Sequence, residues 1–333
     1  MPRLAFLSTA HIHTRSFLQS IADRADAECG AIWDDVAERG RDYAAQFAAP
    51  FVEDLDAVLA DDRIDGFVIC AENTRHLPLL EKVLPLGKPV MCEKPLATTV
   101  ADARAIAGLT ASHGTRLISG YFQPFSGENL AAKQLIASGA LGHVTHAHFR
   151  NAHHAAYGRW FDSPALAWFA DPELAGGGAL MDMGTHAVHL LRHLMGPVTQ
   201  VWAMTQNVTG AYRRVDDYGV IQMRFASGAS GRVEAGWCFT GGVGGLEAIG
   251  SEQSLWNAGA AGLVIGKPGS EPQAVAKIDA RPDRIARLIA VINGETPDDE
   301  LREDLAACLD AVAIMDAAYR SARTGAWEQV QKF

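Results

Sequence analysis

Short apolar runs alternate with helix-length amphipathic segments through the opening third of the chain, and no other feature restricts the fold as much. Leu4–Leu7, Cys29–Trp33, Gly66–Ala71, Pro89–Cys92 and Arg116–Gly120 read as buried strands. Between them Ser16–Asp23, Val36–Phe47, Leu55–Ala60, Leu77–Pro85 and Val100–Ala111 carry apolar residues at helical spacing. Such a rhythm demands parallel strands, because a strand can return in the same direction only through a crossover, usually helical. The handedness of those crossovers makes a doubly wound, Rossmann-like parallel sheet the expected topology. After about Tyr121 the pattern changes to long alternating stretches, His143–Arg150, Val220–Phe225 and Arg232–Phe239, with Ser227-Gly228 and Ser230-Gly231 as a hairpin signal. An α+β second half with a large open, mostly antiparallel sheet is expected, with a Gly-rich helix start at Gly176–Gly178 and helices over Arg281–Ile292 and Leu301–Ala322. At roughly 150 residues per domain, 333 residues suit an α/β protein of two domains, 1–121 and 122–333.

Charge and composition exclude several classes of function. With 29 Lys plus Arg against 39 Asp plus Glu, the net charge of −10 and the absence of a basic cluster argue against a nucleic-acid partner. No apolar run approaches the roughly 18 residues of a membrane span, and Met-Pro-Arg opens no signal-peptide core. The five cysteines are scattered, and Cys29, Cys70 and Cys92 fall in strand-like runs, which suits buried thiols in a cytoplasmic protein better than a disulfide framework.

A dinucleotide-binding half should carry Gly-x-Gly-x-x-Gly after its first strand: a tight turn, a close backbone approach to the pyrophosphate, and tight helix packing. Here the stretch reads Ser8-Thr9-Ala10-His11-Ile12-His13, with no glycine at all. Ser8 and Ala10 are small enough for amides to approach a phosphate, whereas His13 is bulky; loss of the cofactor is the competing expectation. Asp34 closes the second strand, where a carboxylate accepts ribose hydroxyls and repels a 2′-phosphate, favouring NAD over NADP. Lys94, in Cys92-Glu93-Lys94-Pro95, follows the fourth strand and points into the crevice where such sheets bind ligands. Asp182 and His186 stand at i, i+4 beyond the Gly176–Gly178 run, a spacing that pairs a carboxylate with an imidazole as a general base. His11-x-His13 and the His186/His189/His193 stripe have ligand-like spacings, but such spacings arise easily among 12 histidines and no metal site is assigned from them.

These residues resemble the glucose–fructose oxidoreductase / inositol dehydrogenase / rhizopine-catabolism (Gfo/Idh/MocA) family over nearly the whole chain: Asp65–His76, the Glu-Lys-Pro turn, Ala137–Gly142, Trp168 through His186, and Ser321–Gly325. The resemblance implies a catalytic trio of Lys94, Asp182 and His186. It also implies cofactor contacts around Ser8, Ala10, His11, His13, Asp34, Ala71, Asn73, His76, Glu93 and Lys94. The family's usual Thr-Pro-Asn-x-x-His appears as Ala71-Glu72-Asn73-Thr74-Arg75-His76, and His189 replaces a carboxylate often found three residues after the catalytic histidine. Tyr121, Gln123, Arg150, His153, His154, Tyr157 and Trp168 are candidate substrate contacts by polarity and position, with His189 beside them.

The expected function is NAD-dependent hydride transfer to or from a sugar, polyol or related cyclic alcohol. A non-redox lyase, hydratase, epimerase or hydrolase on the same fold is the alternative. A homodimer or homotetramer packed through the open sheet face is implied by the family resemblance.

Overall fold

The computed structural model describes residues 1–333. Its first half runs β1 (Arg3–Leu7), α1 (Thr14–Ala22), β2 (Glu28–Trp33), α2 (Ala37–Gln46), α3 (Leu55–Leu59), β3 (Gly66–Ile69), α4 (His76–Val83), β4 (Val90–Cys92), α5 (Val100–His113) and β5 (Leu117–Ser119). The five strands form one parallel sheet in the order β2-β1-β3-β4-β5. Every residue of β3, β4 and β5 is buried, as strands covered by helices on both faces must be.

The second half runs α6 (Gly127–Ala137), β6 (Val144–Ala152), α7 (Pro172–Ala175), a π-helical turn (Leu180–Gly184), α8 (Thr185–Met195), β7 (Val198–Gln206), β8 (Tyr218–Phe225), β9 (Ser230–Gly236), β10 (Gly244–Gly250), β11 (Ser254–Asn257), β12 (Leu263–Gly266), β13 (Gln273–Ala274), α9 (Arg284–Ile292), α10 (Asp298–Thr324) and β14 (Glu328–Gln329). Its strands form a nine-stranded sheet, order β13-β12-β11-β10-β6-β9-β8-β7-β14, antiparallel except where β6 pairs with β9. The Ser227-Gly228 turn joins β8 to β9, and β9 stops at Gly236 rather than continuing to Phe239.

Two features seat the halves against each other. The amphipathic helix α9 returns to the parallel sheet, where Ile285, Leu288, Ile289 and Val291 share a core with Leu4, Phe6, Phe17 and Val68. The 27-residue helix α10 packs on both α8 and β5.

Candidate active site

Lys94 leaves the end of β4 into a buried position, 3% exposed. Its Nζ donates to Asp182 Oδ1 at 2.7 Å and to the Asp182 backbone carbonyl at 3.2 Å. The other Asp182 oxygen accepts from Trp237 Nε1 at 3.0 Å, with His153 Nε2 3.9 Å away. Burial alone would raise the carboxyl of Asp182, but Lys94, His153 and Trp237 outweigh it and hold it well below the ordinary carboxylate range.

Asp182 therefore does not pair with His186, contrary to the i, i+4 expectation. The Leu180–Gly184 turn is π-helical, and its wider winding breaks the α-helical register that would stack the two side chains. His186 Nδ1 is buried with no hydrogen-bond partner, and its ring lies against Phe122 at 5.1 Å and edge-on to Tyr121 at 5.8 Å. Burial, then the nearby Lys94 ammonium, hold the imidazole well below its usual range, so it is neutral near pH 7.

The local backbone explains the glycines. Gly178 lies so close to Asp216 that a Cβ would sit 2.0 Å from the Asp216 carbonyl oxygen. The Asp216 carboxylate accepts from the amides of Gly178 and Leu180 and from Tyr319 Oη, tying the turn to α10.

Around Lys94, Asp182 and His186 lies a cavity of about 240 Å³, also lined by Ile12, His13, Phe122, Asn151, His153, Trp160, Phe161, Phe169 and Met183. Of the candidate substrate contacts, only His153 lines it. Tyr121 is buried and bonded to Thr185 (2.5 Å), with its ring stacked 4.0 Å from His189, which faces Cys308. Trp168 is buried and donates to the Ala10 carbonyl at 3.0 Å. Gln123 bonds Asn129, Arg150 is paired with Glu234 on the sheet, and Tyr157 is 57% exposed. His154 meets the Trp160 edge outside the lining. Trp237, Trp160 and Phe122 were not anticipated; aromatic residues outside a motif look like ordinary core in sequence.

The cofactor cradle matches expectation only in part. Ser8 takes φ +66°, the left-handed turn that the missing first glycine would have made, and Asp34 stands at the end of β2. The loop amides, however, are already committed. Thr9 donates to Asp34, Ala10 to Ser8 Oγ, His11 to the Cys70 carbonyl and His13 to His11 Nδ1, while Ile12 has no such acceptor. Asp34 is closed off too: it accepts from Thr9 Oγ1 at 2.5 Å, from Val36 N at 2.8 Å, and from Arg39 at 2.8 and 2.9 Å. Burial disfavours its charge, yet the Arg39 and Thr9 bonds hold its carboxyl below the ordinary value. Arg39 also reaches Ser8 Oγ (3.2 Å), Asp35 (3.2 Å) and Glu72 (3.3 Å), so its guanidinium fills the place expected for the ribose. His76 braces the turn between the carbonyls of Pro95 and Ala71 rather than facing a ligand, and Asn73 Nδ2 is spent on the Ala175 carbonyl.

The strand-end lysine of the doubly wound half thus meets a carboxylate from the glycine-led turn of the open-sheet half. Residues 8–121 match the model of the oxidoreductase family with the NAD-binding Rossmann fold, and residues 129–256 match the GFO/IDH/MocA C-terminal domain. The chain belongs to the Gfo/Idh/MocA oxidoreductase family. It is 26% identical over 222 residues to the rhizopine catabolism protein MocA of Rhizobium meliloti, covering 66% of each chain. It is 27% identical to the levoglucosan dehydrogenase of Pseudarthrobacter phenanthrenivorans, over 60% of this chain and 57% of the relative. The matches thus span about 57–66% of these relatives' length. Among solved structures, GenD2 from gentamicin A biosynthesis in complex with NAD superposes with a TM-score of 0.81 at 25% identity, covering 99% of this chain and 96% of GenD2. The inositol dehydrogenase homologue of Azotobacter vinelandii complexed with NAD+ shares the fold, with a TM-score of 0.83 at 21% identity over 98% and 97% of the two chains.

Proposed function

We propose that this family member interconverts a secondary alcohol and a carbonyl on a monosaccharide-sized sugar, polyol or cyclic alcohol. The observation that carries the reading is a neutral, buried His186 and a carboxylate-anchored Lys94 in one small cavity. At about 240 Å³ that cavity falls below the roughly 300–1,000 Å³ of drug-sized ligand sites, which suits one sugar ring. His186 takes the hydroxyl proton as the alcohol is oxidised, and the Lys94 ammonium steadies the negative charge developing on the same oxygen. Asp182, held by Trp237, positions Lys94 rather than His186. The levoglucosan and inositol dehydrogenases among its relatives support this substrate class. The open sheet face supports packing as a homodimer or homotetramer, and the free cysteines support a reducing, cytoplasmic setting.

A nicotinamide dinucleotide, when bound, supplies the hydride acceptor or donor. Asp34 would hold the adenosine ribose once Arg39 withdraws, and the Ile12 amide, which has no acceptor in the loop, would meet the pyrophosphate. Asp34, Asp35 and Glu72 crowd the ribose end with carboxylates, which supports NAD over NADP. Titration with NADH and NADPH tests this. NADH is expected to bind weakly and NADPH more weakly still, and Arg39→Ala should tighten NADH by freeing Asp34. NADPH binding tighter than NADH overturns the preference. Failure of both to bind, even to Arg39→Ala, overturns the dinucleotide reading.

A further inference from the structure

Two buried groups, expected above only as cofactor contacts, take no step in the proposed reaction. His11 is 1% exposed and Glu93 is fully buried, although their positions in the chain lie 82 residues apart. His11 Nδ1 accepts the His13 amide at 3.2 Å, which leaves Nε2 as its free edge. That atom has no hydrogen-bond partner; it is turned toward Glu93 Oε2 at 3.8 Å, beyond hydrogen-bond range. His13 Nδ1 stands 2.9 Å from Glu93 Oε1 and 3.1 Å from Arg284 Nη1. One ring nitrogen cannot both donate to the carboxylate and accept from the guanidinium. Arg284 Nη1 donates instead to Glu93 Oε1 at 3.2 Å and to the Gly120 carbonyl at 3.0 Å, so protons leave one atom of the cluster unsatisfied, His11 Nε2.

A cation satisfies it. One donor atom each from His11, His13 and Glu93 lie within 4.8 Å of one another, so a shift of about an ångström at His11 would bring all three to the roughly 2.0–2.2 Å reach of a zinc-class ion. Two imidazoles and one carboxylate make a ligand set that keeps a coordination position open. Gly120 makes room for the carboxylate, since a Cβ there would lie 2.5 Å from Glu93 Oε2. Arg284, 3.2 Å from Glu93 Oε1 and set over the Phe17 ring, is the resident counter-charge that an incoming dication displaces.

We propose that His11, His13 and Glu93 bind a divalent transition-metal ion of the zinc class, whose open position faces the cavity through His13 and takes a hydroxyl or carbonyl oxygen of the substrate. The site goes beyond the oxidoreductase reading and stands without it. The second grouping of this kind, His189, Asp304 and Cys308, carries less, because none of its residues lines the cavity.

The test uses the whole protein prepared without a histidine tag and stripped with a chelator. Calorimetric titration with Zn²⁺ should give one equivalent per chain, and Co²⁺ should produce visible ligand-field absorption. His13→Ala and Glu93→Gln should each weaken Zn²⁺ by about tenfold or more. His11→Ala should abolish the Co²⁺ bands, and the exposed His143→Ala should change neither readout. Arg284→Gln should tighten Zn²⁺, which a merely structural cluster would not predict. Absence of stoichiometric Zn²⁺ binding by the wild type, or Co²⁺ bands that survive His11→Ala and His13→Ala, overturns the site.

Discussion

Lys94, Asp182 and His186 converge as their motifs suggested, but their partnerships differ from the ones that spacing implied. Asp182 spends one oxygen on Lys94 and the other on Trp237, so the carboxylate fixes an ammonium and leaves the imidazole to aromatic packing. Lys94→Ala and His186→Ala are each expected to lower turnover on the true substrate by about 10²-fold or more, the scale of lost acid–base assistance. Only the first should also destabilise strongly, by about 3–5 kcal/mol, because it strands the buried Asp182 charge. Turnover together with thermal melts separates the two effects; equal stability losses would sink the Asp182–Lys94 assignment. Asp182→Asn should keep the fold and lose activity through Lys94. Ring-nitrogen NMR offers the check: a strongly downfield, carboxylate-bonded N–H on His186 would restore the pairing that the π-turn rules out.

At the scale of elements, the Gly176–Gly178 run works through close approach. Gly176 takes φ +75° as the cap of α7, while Gly178 needs space against the Asp216 backbone. Backbone cannot yield as a flexible side chain can, so Gly178→Ala should cost at least the roughly 1–3 kcal/mol of ordinary overpacking. It should also lower turnover by displacing Asp182. Gly108→Ala, in open space on α5, should be neutral or slightly stabilising. Chemical denaturation of the two variants reads the difference, and similar midpoints would show that the turn adapts. The strands of the parallel sheet were legible because a doubly covered strand is apolar throughout. The parallel β6–β9 pair was not, since alternation records which face is buried and carries no strand direction.

For the whole molecule, the buried histidines set an acid limit. Burial keeps His186 and His189 well below the ordinary 6.5. Unfolded, both protonate near that value; folded, they do not. Below pH 6.5 the unfolded chain therefore binds more protons, and stability falls as pH falls, by up to about 1.4 kcal/mol per pH unit for each histidine. Glu93 and Asp182 add to the loss only at lower pH, since their depressed values make a contribution that is complete above roughly pH 4. The melting temperature should drop between pH 6.5 and 5, ahead of carboxylate titration. A flat profile over that range would mean that the two imidazoles charge freely in the folded state.

The sequence by itself determined the two-sheet architecture and the family, and it singled out Lys94, Asp182 and His186 as candidates, because hydrophobic periodicity and short motifs are local properties of a chain. It could not determine which groups would pair. Asp182 found Trp237 from β9's end, Asp34 found Arg39 across the start of α2, and Glu93 found His13 and Arg284 from two distant segments. A buried charge takes whatever donors the packed chain brings within about 3 Å. That distance is set by the crossing of α9 over the parallel sheet and by the wide winding of one π-turn, and only the tertiary structure fixes either.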